Sequence, residues 1–384
     1  MFINAEPPFT GCNLSPLLFS IFIADLCQEL KRSGIGIPIG CLIICCILFA
    51  DDLVLIARSK KQLELLVNIT IRYFETHRLK ISETKSKILD SKEQDGESIF
   101  IIDDSDTITL DHVISFKYLG VPLNSMPRRF FSDYNEQVKR RAQAYLGRVM
   151  SLSKSGPDRA ELAHALWTQV AIPSILYGCE VCPLTETTIE EVEKCQNTVG
   201  KFMLQLPRSS ANVAVNLDAG LKPIWAVVAQ RVLSYAQKTM MKPYDSWVKI
   251  AMTENIRNGS TNWYTRYLSK WKNKTGTFDC GLSQIEQNVK RAAILDVLHR
   301  QRREAKTSTF AMNSPSLGRR DSWFKPKNWL NDSGMSKIYA EFRSSNAGLG
   351  NRGPARNGQH YKLCPLCAKN GLKALNNEVS TWVF

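Results

Sequence analysis

The sequence lacks the usual signs of a secreted or membrane-spanning protein. Its first residues, Met1 to Glu6, have neither the basic flank nor the apolar run of a signal peptide. The one membrane-like stretch, Ile35 to Ala50, is uncharged, but it is interrupted by glycine and proline and is shorter than the roughly 18 to 20 residues that a spanning helix needs. We therefore expect an intracellular protein without a membrane partner, in the nucleus or the cytoplasm.

Regular cysteine spacing and internal repeats are also missing. The chain has 11 cysteines, an odd number at irregular positions, so it does not show the paired pattern of a disulfide-stapled domain. A reducing compartment is the simpler expectation. Because 384 residues are enough for two or three domains, folding can rest on hydrophobic cores instead.

Acidic residues are fewer than basic ones. The chain holds 50 Lys and Arg against 36 Asp and Glu, a net charge of +14, which predicts a polyanionic partner and most simply nucleic acid. The excess is regional, since residues 290–384 contain 17 Lys and Arg against 6 Asp and Glu, a net of +11. Nucleic-acid binding is therefore expected mainly from the C-terminal quarter.

Hydrophobic periodicity predicts most of the regular elements. Ser15-Pro16 is typical of a helix start, and an amphipathic helix is predicted over Lys60 to His77. Residues 79–89 and 116–123 are expected to be extended, and residues 90–106 to form a polar loop or hairpin. After Pro127 the pattern predicts helices over residues 132–153, 159–176, 188–204 and 225–241.

Two adjacent carboxylates are predicted at a hairpin turn. The apolar runs Cys41 to Phe49 and Leu53 to Ala57 are separated by Ala50, Asp51 and Asp52. Like charges this close repel, and burial penalises both, unless a cation lies beside them. Mg²⁺ prefers oxygen ligands of this kind. A solvated Asp-Asp turn is the alternative, because Asp is a favoured turn residue.

Three segments together resemble a known family. Phe49-Ala50-Asp51-Asp52 is preceded by the segment Gly11 to Phe19 and followed by Phe116-Lys117-Tyr118-Leu119-Gly120. In this order and spacing they resemble the palm of the reverse transcriptases of non-LTR (LINE-type) retrotransposons. The resemblance covers residues 9–123 and extends more loosely to about residue 206.

The resemblance implies an α+β fold in three parts. Residues 1–126 would form a partial polymerase palm, an antiparallel sheet with packed helices. Residues 127–241 would form a mostly α-helical thumb-like region, and residues 242–384 a basic C-terminal region. The implied reaction is DNA synthesis from nucleoside triphosphates on an RNA template, with a DNA primer.

The resemblance also implies roles for individual residues. Asp51 and Asp52 match the pair that holds two catalytic Mg²⁺ ions, and Lys85 matches a basic residue that assists the leaving pyrophosphate. A solvated lysine is the alternative for Lys85, and an ordinary core strand is the alternative for the primer-gripping segment. Nucleotide and template contact is implied for Gly11, Asn13, Ser15 and Pro16, and a primer grip for Phe116, Tyr118, Leu119 and Gly120.

One element that the resemblance requires is not evident in the sequence. The family's palm has a third carboxylate on a strand before the Gly11 segment, and here Glu6 is the one acid ahead of Gly11, in a segment without a strand pattern. We therefore expect this chain to be inactive by itself unless a partner chain supplies the strand. A decayed element that folds poorly is a further alternative, because an unpaired edge of the 41–57 hairpin invites aggregation.

The C-terminal region suggests two further sites. Cys364-Pro365-Leu366-Cys367 resembles the first half of a zinc knuckle, but tetrahedral Zn²⁺ needs four ligands and no His or Cys follows Cys367. An incomplete zinc site is therefore the expectation. Basic residues interleaved with aromatic rings favour RNA or single-stranded DNA binding, the alternative being a solvated basic face over a small core. These residues are Arg300, Arg302, Arg303, Arg319, Arg320, Trp323, Lys325 and Lys327.

Overall fold

The computed structural model describes residues 2–4, 15–90, 97–101, 107–154, 158–259, 262–277 and 281–304. Strands and helices alternate in its first part, and helices follow. The strands are β1 (Phe2–Asn4), β2 (Ile37–Ile39), β3 (Leu42–Ile44), β4 (Cys46–Phe49), β5 (Asp52–Leu55), β6 (Lys87–Ile88), β7 (Glu97–Ile101), β8 (Thr107–His112), β9 (Ser115–Tyr118) and β10 (Val121–Asn124).

The helices lie mainly in the second half of the chain. They are α1 (Ser15–Phe22), α2 (Ala24–Arg32), α3 (Lys60–Thr76), α4 (Ser132–Lys154), α5 (Arg159–Ala165), α6 (Ile172–Ile175), α7 (Glu186–Met203), α8 (Asn212–Asp218), α9 (Ile224–Met240), α10 (Trp247–Arg257), α11 (Trp263–Thr275) and α12 (Leu282–Glu304). A short 3-10 turn spans Pro127–Arg129, and a π-helical turn, Leu166–Ala171, joins α5 to α6. The mixed composition is compatible with the predicted α+β class.

The main sheet has six strands in the order β4-β5-β1-β6-β8-β7. Neighbours are antiparallel except β6 and β8, which run parallel. Helices α2 and α3 contribute Leu26, Leu30, Leu66 and Phe74 to the hydrophobic core against this sheet. Their apolar faces follow from helical spacing, which puts residues three and four apart on one side.

Helix α3 confirms the amphipathic helix predicted over Lys60 to His77. Its start is fixed by Ser59, whose side chain accepts a hydrogen bond from the amide of Gln62. Leu66, Val67 and Phe74 are buried, and Lys60 and Lys61 are exposed at its start. The sequence alone was sufficient to predict α3 because its N-cap residue and the helical spacing of its apolar residues lie within one continuous segment.

Three predicted extended segments are corrected by the structure. The run Cys41 to Phe49 is not one strand, because β3 pairs with β2 and only β4 pairs with β5. Residues 79–89 contain only the two-residue strand β6. Residues 116–123 fold back on themselves as the hairpin of β9 and β10, since Leu119 and Gly120 adopt positive φ and reverse the chain.

The expectation of an unfilled sheet edge is also corrected. Strand β1 lies between β5 and β6 and pairs antiparallel with both. The predicted 41–57 hairpin is therefore covered along β5. Three residues are too few to show strand periodicity, which is why sequence reasoning found no strand ahead of Gly11.

The chain forms two compact units, each assembled from separated segments. The first comprises Met1–Gln137, Gly178–Thr185 and Val232–Trp271. The second comprises Val138–Tyr177, Glu186–Arg231 and the described residues after Trp271. These units do not follow boundaries at residues 126 and 241, so the family-based division of the chain stays a prediction.

Within the first unit, a short loop from residue 178 to 185 is held by distant side chains. Asn135 donates to the carbonyl of Pro183 at 3.0 Å and accepts from the amide of Thr185 at 2.9 Å. The hydroxyl of Tyr267 donates to the carbonyl of Cys179 at 3.0 Å. Cys179 and Cys182 are buried in this loop and belong to its packed core.

The second unit is helical. The predicted helix over residues 159–176 is confirmed as α5, the π-helical turn and α6 in succession. Pro173 has no amide hydrogen, so regular bonding cannot continue through this turn. Across all the helices that the structure describes, none is long and apolar enough to cross a membrane.

Candidate active site

The two adjacent carboxylates lie at the tip of the β4–β5 hairpin, as predicted. Phe49 pairs with Asp52, which leaves Ala50 and Asp51 as a two-residue loop. Ala50 has a φ of +50°, the positive value that such tight loops require. Both carboxylate residues are half-buried, while Leu53, Val54 and Leu55 behind them are buried. The acids are therefore fixed at a rigid strand end and still face solvent.

This donor set fits magnesium. Two neighbouring carboxylates supply hard oxygen ligands, and their half-exposure leaves space for the waters or phosphate oxygens that Mg²⁺ keeps. Asp51 and Asp52 are the residues that would hold the ion. In the described ranges, no group of three or more His, Cys, Asp or Glu side chains is arranged as a metal site.

Lys85 lies at the same end of the sheet as the acid turn. It is exposed in a turn two residues before Lys87, and Lys87 pairs with Phe2, which in turn pairs with Val54. Strands β5 and β6 both pair antiparallel with β1, so they run parallel to each other. Lys85 precedes β6 at the end of the sheet where Asp52 begins β5.

The β9–β10 hairpin presents a strained apolar tip. Tyr118 pairs with Val121, so Leu119 and Gly120 form the loop, with φ of +46° and +82°. Glycine adopts this conformation freely, but leucine does so at a cost of about 1–2 kcal/mol. Leu119 is also 37% exposed. Backbone strain at an exposed side chain is typical of residues that make a functional contact.

Tyr118 connects this hairpin to the acid turn. Burial raises the pKa of its phenol, and the negative charge of Asp52 raises the pKa further. The Asp52 carboxylate is therefore close enough to act on the phenol electrostatically. The structure brings together the predicted carboxylate pair and one residue of the predicted primer grip.

Asp133 fixes the base of the β9–β10 hairpin, a role that sequence reasoning missed. Its carboxylate accepts hydrogen bonds from Ser115, from Asn124 and from Ser132, and these bonds lower its pKa. Ser115 and Asn124 are opposite each other in the register, so one carboxylate holds both strands. The Ser-Asp pair at the start of α4 resembles an ordinary helix start, and nothing in the sequence distinguishes it.

Several predicted site residues lie outside the described residues. They are Gly11, Asn13, Arg319, Arg320, Trp323, Lys325, Lys327, Cys364 and Cys367. Ser15 and Pro16 begin α1, as predicted, and Arg302 and Arg303 lie in the last turn of α12, but the structure describes only the backbone of these four. Their binding roles stay predictions.

Arg300 is described fully and is engaged inside the second unit. Its guanidinium forms an ion pair with Asp296 at 3.0 Å. The same Asp296 oxygen accepts a hydrogen bond from the indole of Trp225 at 2.8 Å. Much of the Arg300 charge is thus already compensated within the protein.

Comparison with known proteins shows which sequences the part of the chain around this site resembles. Residues 8–123 match the family described as reverse transcriptase (RNA-dependent DNA polymerase). The chain is 29% identical over 134 residues to the retrovirus-related Pol polyprotein from type-2 retrotransposable element R2DM of Drosophila melanogaster. Residues 8–123 are a reverse transcriptase domain of the non-LTR retrotransposon type.

A second relative extends the similarity beyond this domain. The retrovirus-related Pol polyprotein from type-1 retrotransposable element R2 of Popillia japonica is 25% identical over 209 residues. The two matches cover 33% and 53% of this chain, but only 13% and 28% of the relatives. The protein is therefore retrotransposon-derived and carries a reverse transcriptase domain, while it spans a small part of the length of these relatives.

Proposed function

We propose that the reverse transcriptase domain binds a primer annealed to an RNA template, and that this 384-residue chain alone does not extend the primer. The proposal that the chain alone does not extend the primer rests on the register of β1. Asn4 is the partner of Asp52 on the strand beside the acid hairpin. The position nearest to the carboxylate pair on the neighbouring strand thus carries a neutral amide residue.

The reaction of the family depends on concentrated negative charge at this place. Magnesium, when bound by Asp51 and Asp52, would stabilise the attacking and leaving oxygens of phosphoryl transfer. With an amide where an acid would add a third charge, the hairpin tip offers two carboxylates and weaker attraction for two divalent ions. Lys85, exposed at the same end of the sheet, remains available to pair with a phosphate.

The primer-binding half of the proposal rests on the β9–β10 tip. Leu119 is exposed in a strained conformation, and Tyr118 joins its hairpin to the acid turn through the field of Asp52. A bound primer end lying on Leu119 would be directed towards the carboxylates. An apolar tip suits contact with the sugar and base faces of the primer, whereas phosphates would be held by the basic residues.

A primer-extension assay with Mg²⁺ and a primer annealed to an RNA template tests the catalytic half. The wild-type chain is compared with an Asp51→Asn/Asp52→Asn double variant. We expect both to give the same background. Extension by the wild type that the double variant loses would overturn the proposed inactivity.

Fluorescence anisotropy of the same labelled primer and template tests the binding half. We expect saturable binding that weakens steeply as salt concentration rises. The Asn substitutions remove two negative charges and should leave the affinity unchanged or raise it. If the wild type does not bind the duplex at low salt, the first half of the proposal is wrong.

A second candidate is non-catalytic binding of RNA or single-stranded DNA by the C-terminal region. The observation that favours it is the charge of +11 over residues 290–384. It predicts that removing residues 305–384 abolishes binding to single strands, whereas the Asp51→Asn/Asp52→Asn change does not affect it. Retention of single-strand affinity by the shortened chain would exclude this candidate.

A further inference from the structure

Three cysteine thiols meet where helix α2 lies beside strand β4. Cys27 is on α2, Cys46 is the first residue of β4, and Cys45 precedes it. The Sγ atoms of Cys45 and Cys46 are 3.9 Å apart, and the contact of α2 with β4 brings the Cys27 thiol close enough to Cys46 to interact with it. All three are free thiols in the structure. None of them takes part in the nucleic-acid site described above.

The three sulfurs differ in how readily they lose a proton. The hydrogen bond with Cys46 lowers the pKa of Cys27 to about 7 against the opposing effect of burial, and the charge of Lys31, one helical turn later, lowers it further. The same neighbour lowers the pKa of Cys45 to about 7. The pKa of Cys46 is raised, first because it shares hydrogen bonds with Cys27 and Cys45. Near neutral pH, Cys27 is therefore partly a thiolate beside a protonated Cys46.

Access to solvent separates the two acidic thiols. Cys45 is 1% exposed, whereas Cys27 and Cys46 are half-buried. A small polar oxidant can therefore reach Cys27 but not Cys45. A thiolate that is reachable and has another thiol in contact is the arrangement in which oxidation ends in a disulfide.

We propose that Cys27 and Cys46 are an oxidisable pair that closes to a disulfide when the protein meets a peroxide. In the first step the Cys27 thiolate attacks one peroxide oxygen. The O–O bond breaks, Cys27 becomes a sulfenic acid, and the departing hydroxide takes a proton to form water.

In the second step the sulfur of Cys46 attacks the sulfur of Cys27. The S–O bond breaks, and the hydroxide leaves as water with the proton of Cys46. In total, two thiols and one hydrogen peroxide give one disulfide and two waters, and two electrons pass from sulfur to oxygen. No further oxidant is required.

The bond would tie helix α2 to the strand that leads into the acid turn. Strand β4 runs from Cys46 to Phe49, and Asp51 follows in the loop. Cys27 and Cys46 are 19 positions apart, so the disulfide closes a short loop and restricts the unfolded chain. The oxidised protein should therefore melt at a higher temperature than the reduced protein.

The test uses the full-length chain, reduced and then treated with one equivalent of hydrogen peroxide at neutral pH. Peptides are mapped without reduction by tandem mass spectrometry. We expect a cross-link between Cys27 and Cys46, the loss of two titratable thiols, a higher melting temperature, and reversal of all three by dithiothreitol. Because Cys41, Cys45 and Cys46 fall in one tryptic peptide, fragment ions are needed to assign the bond.

Single substitutions complete the test. Cys27→Ser should abolish the cross-link, and Cys41→Ser, which removes the exposed cysteine after β2, should retain it. A link between Cys45 and Cys46 instead, or sulfenic acid that persists on Cys27 in the wild type, would overturn the proposal. The wild-type map decides the question even if a variant does not fold.

Discussion

The phenol of Tyr118 lies within the electric field of the Asp52 carboxylate. Burial is the larger cause of its raised pKa, and Asp52 adds to the effect. Two hairpins that are separate in the sequence therefore converge at one end of the main sheet. This relationship is the part of the candidate site that can be measured directly on the protein without nucleic acid.

Replacing Asp52 by Asn should lower the pKa of Tyr118, because the neutral amide no longer disfavours the phenolate. The residual shift reflects burial alone and should persist. The pKa is followed by NMR of ¹³C-labelled tyrosine, with the signal assigned through Tyr118→Phe. In the matched control Asp51→Asn, the signal should titrate as in the wild type. An unchanged titration in Asp52→Asn would contradict the geometry of the site.

Leu119→Asn should stabilise the protein and weaken primer binding. Asn adopts the left-handed conformation more readily than Leu, so the free energy of unfolding should rise by about 1 kcal/mol. The same change removes the exposed apolar tip, so the affinity for the annealed primer should fall. Urea unfolding and fluorescence anisotropy measure the two effects. A change that raises stability and leaves affinity intact would remove Leu119 from the proposed primer contact.

Gly36→Ala should destabilise the β2–β3 region more than Gly34→Ala. Both glycines have positive φ, but a Cβ on Gly36 would lie 2.7 Å from the carbonyl oxygen of Ile44, and a Cβ on Gly34 would meet no atom within 4 Å. Gly34→Ala should cost about 1 kcal/mol from backbone conformation alone. Thermal or urea unfolding compares the two variants, and equal losses would contradict the close approach at Gly36.

Gln196→Leu should destabilise the second unit by about 1 to 3 kcal/mol, because it leaves the buried indole of Trp167 without a partner and removes a hydrogen bond to the backbone. Gln196 accepts from the indole of the fully buried Trp167 at 3.2 Å and donates to the carbonyl of Lys222 at 2.9 Å. The control is Thr198→Ala, an exposed position on the same helix. Its effect in urea unfolding should stay within about 0.5 kcal/mol.

Glu193→Gln should flatten the pH dependence of stability above the ordinary carboxyl pKa. Burial raises the pKa of Glu193 above its usual 4.5, the amide of Ile224 and the charge of Arg300 act against this, and Asp296 adds to it. In this window the folded chain holds more protons than the unfolded chain, so the free energy of unfolding falls as pH rises. Urea unfolding from pH 4.5 upwards measures the slope.

The variant keeps an oxygen that can accept the hydrogen bond from Ile224 and loses only the titration. Glu190→Gln, an exposed carboxylate on the same helix, is the matched control. A wild-type slope that survives in Glu193→Gln would show that another group causes it.

Structural elements that depend on residues close together in the sequence were predictable from the sequence. The acid hairpin around Asp51, helix α3 and the start of α1 follow from caps, apolar runs and turn residues within short windows. The family resemblance added a primer-grip role for residues 116–120, which stays a prediction. These predictions needed no knowledge of which distant segments meet.

Features that depend on distant segments were not predictable. Strand β1 has three residues and is defined by its partners on both sides. The turn at Leu119 was misread because leucine rarely adopts positive φ, and only the pairing of β9 with β10 enforces it. The meeting of Cys27 with Cys46 likewise follows from the packing of α2 beside β4, not from a cysteine motif.

The interleaved units have a consequence for how the chain folds during translation. The carbonyl of Cys179 receives its hydrogen bond from Tyr267, 88 positions later, so the first unit stays incomplete long after its sheet has been synthesised. Such late closure leaves apolar surface exposed on the ribosome and slows folding. Expression fragments that stop before residue 271 should therefore depend on chaperones far more than the full-length protein.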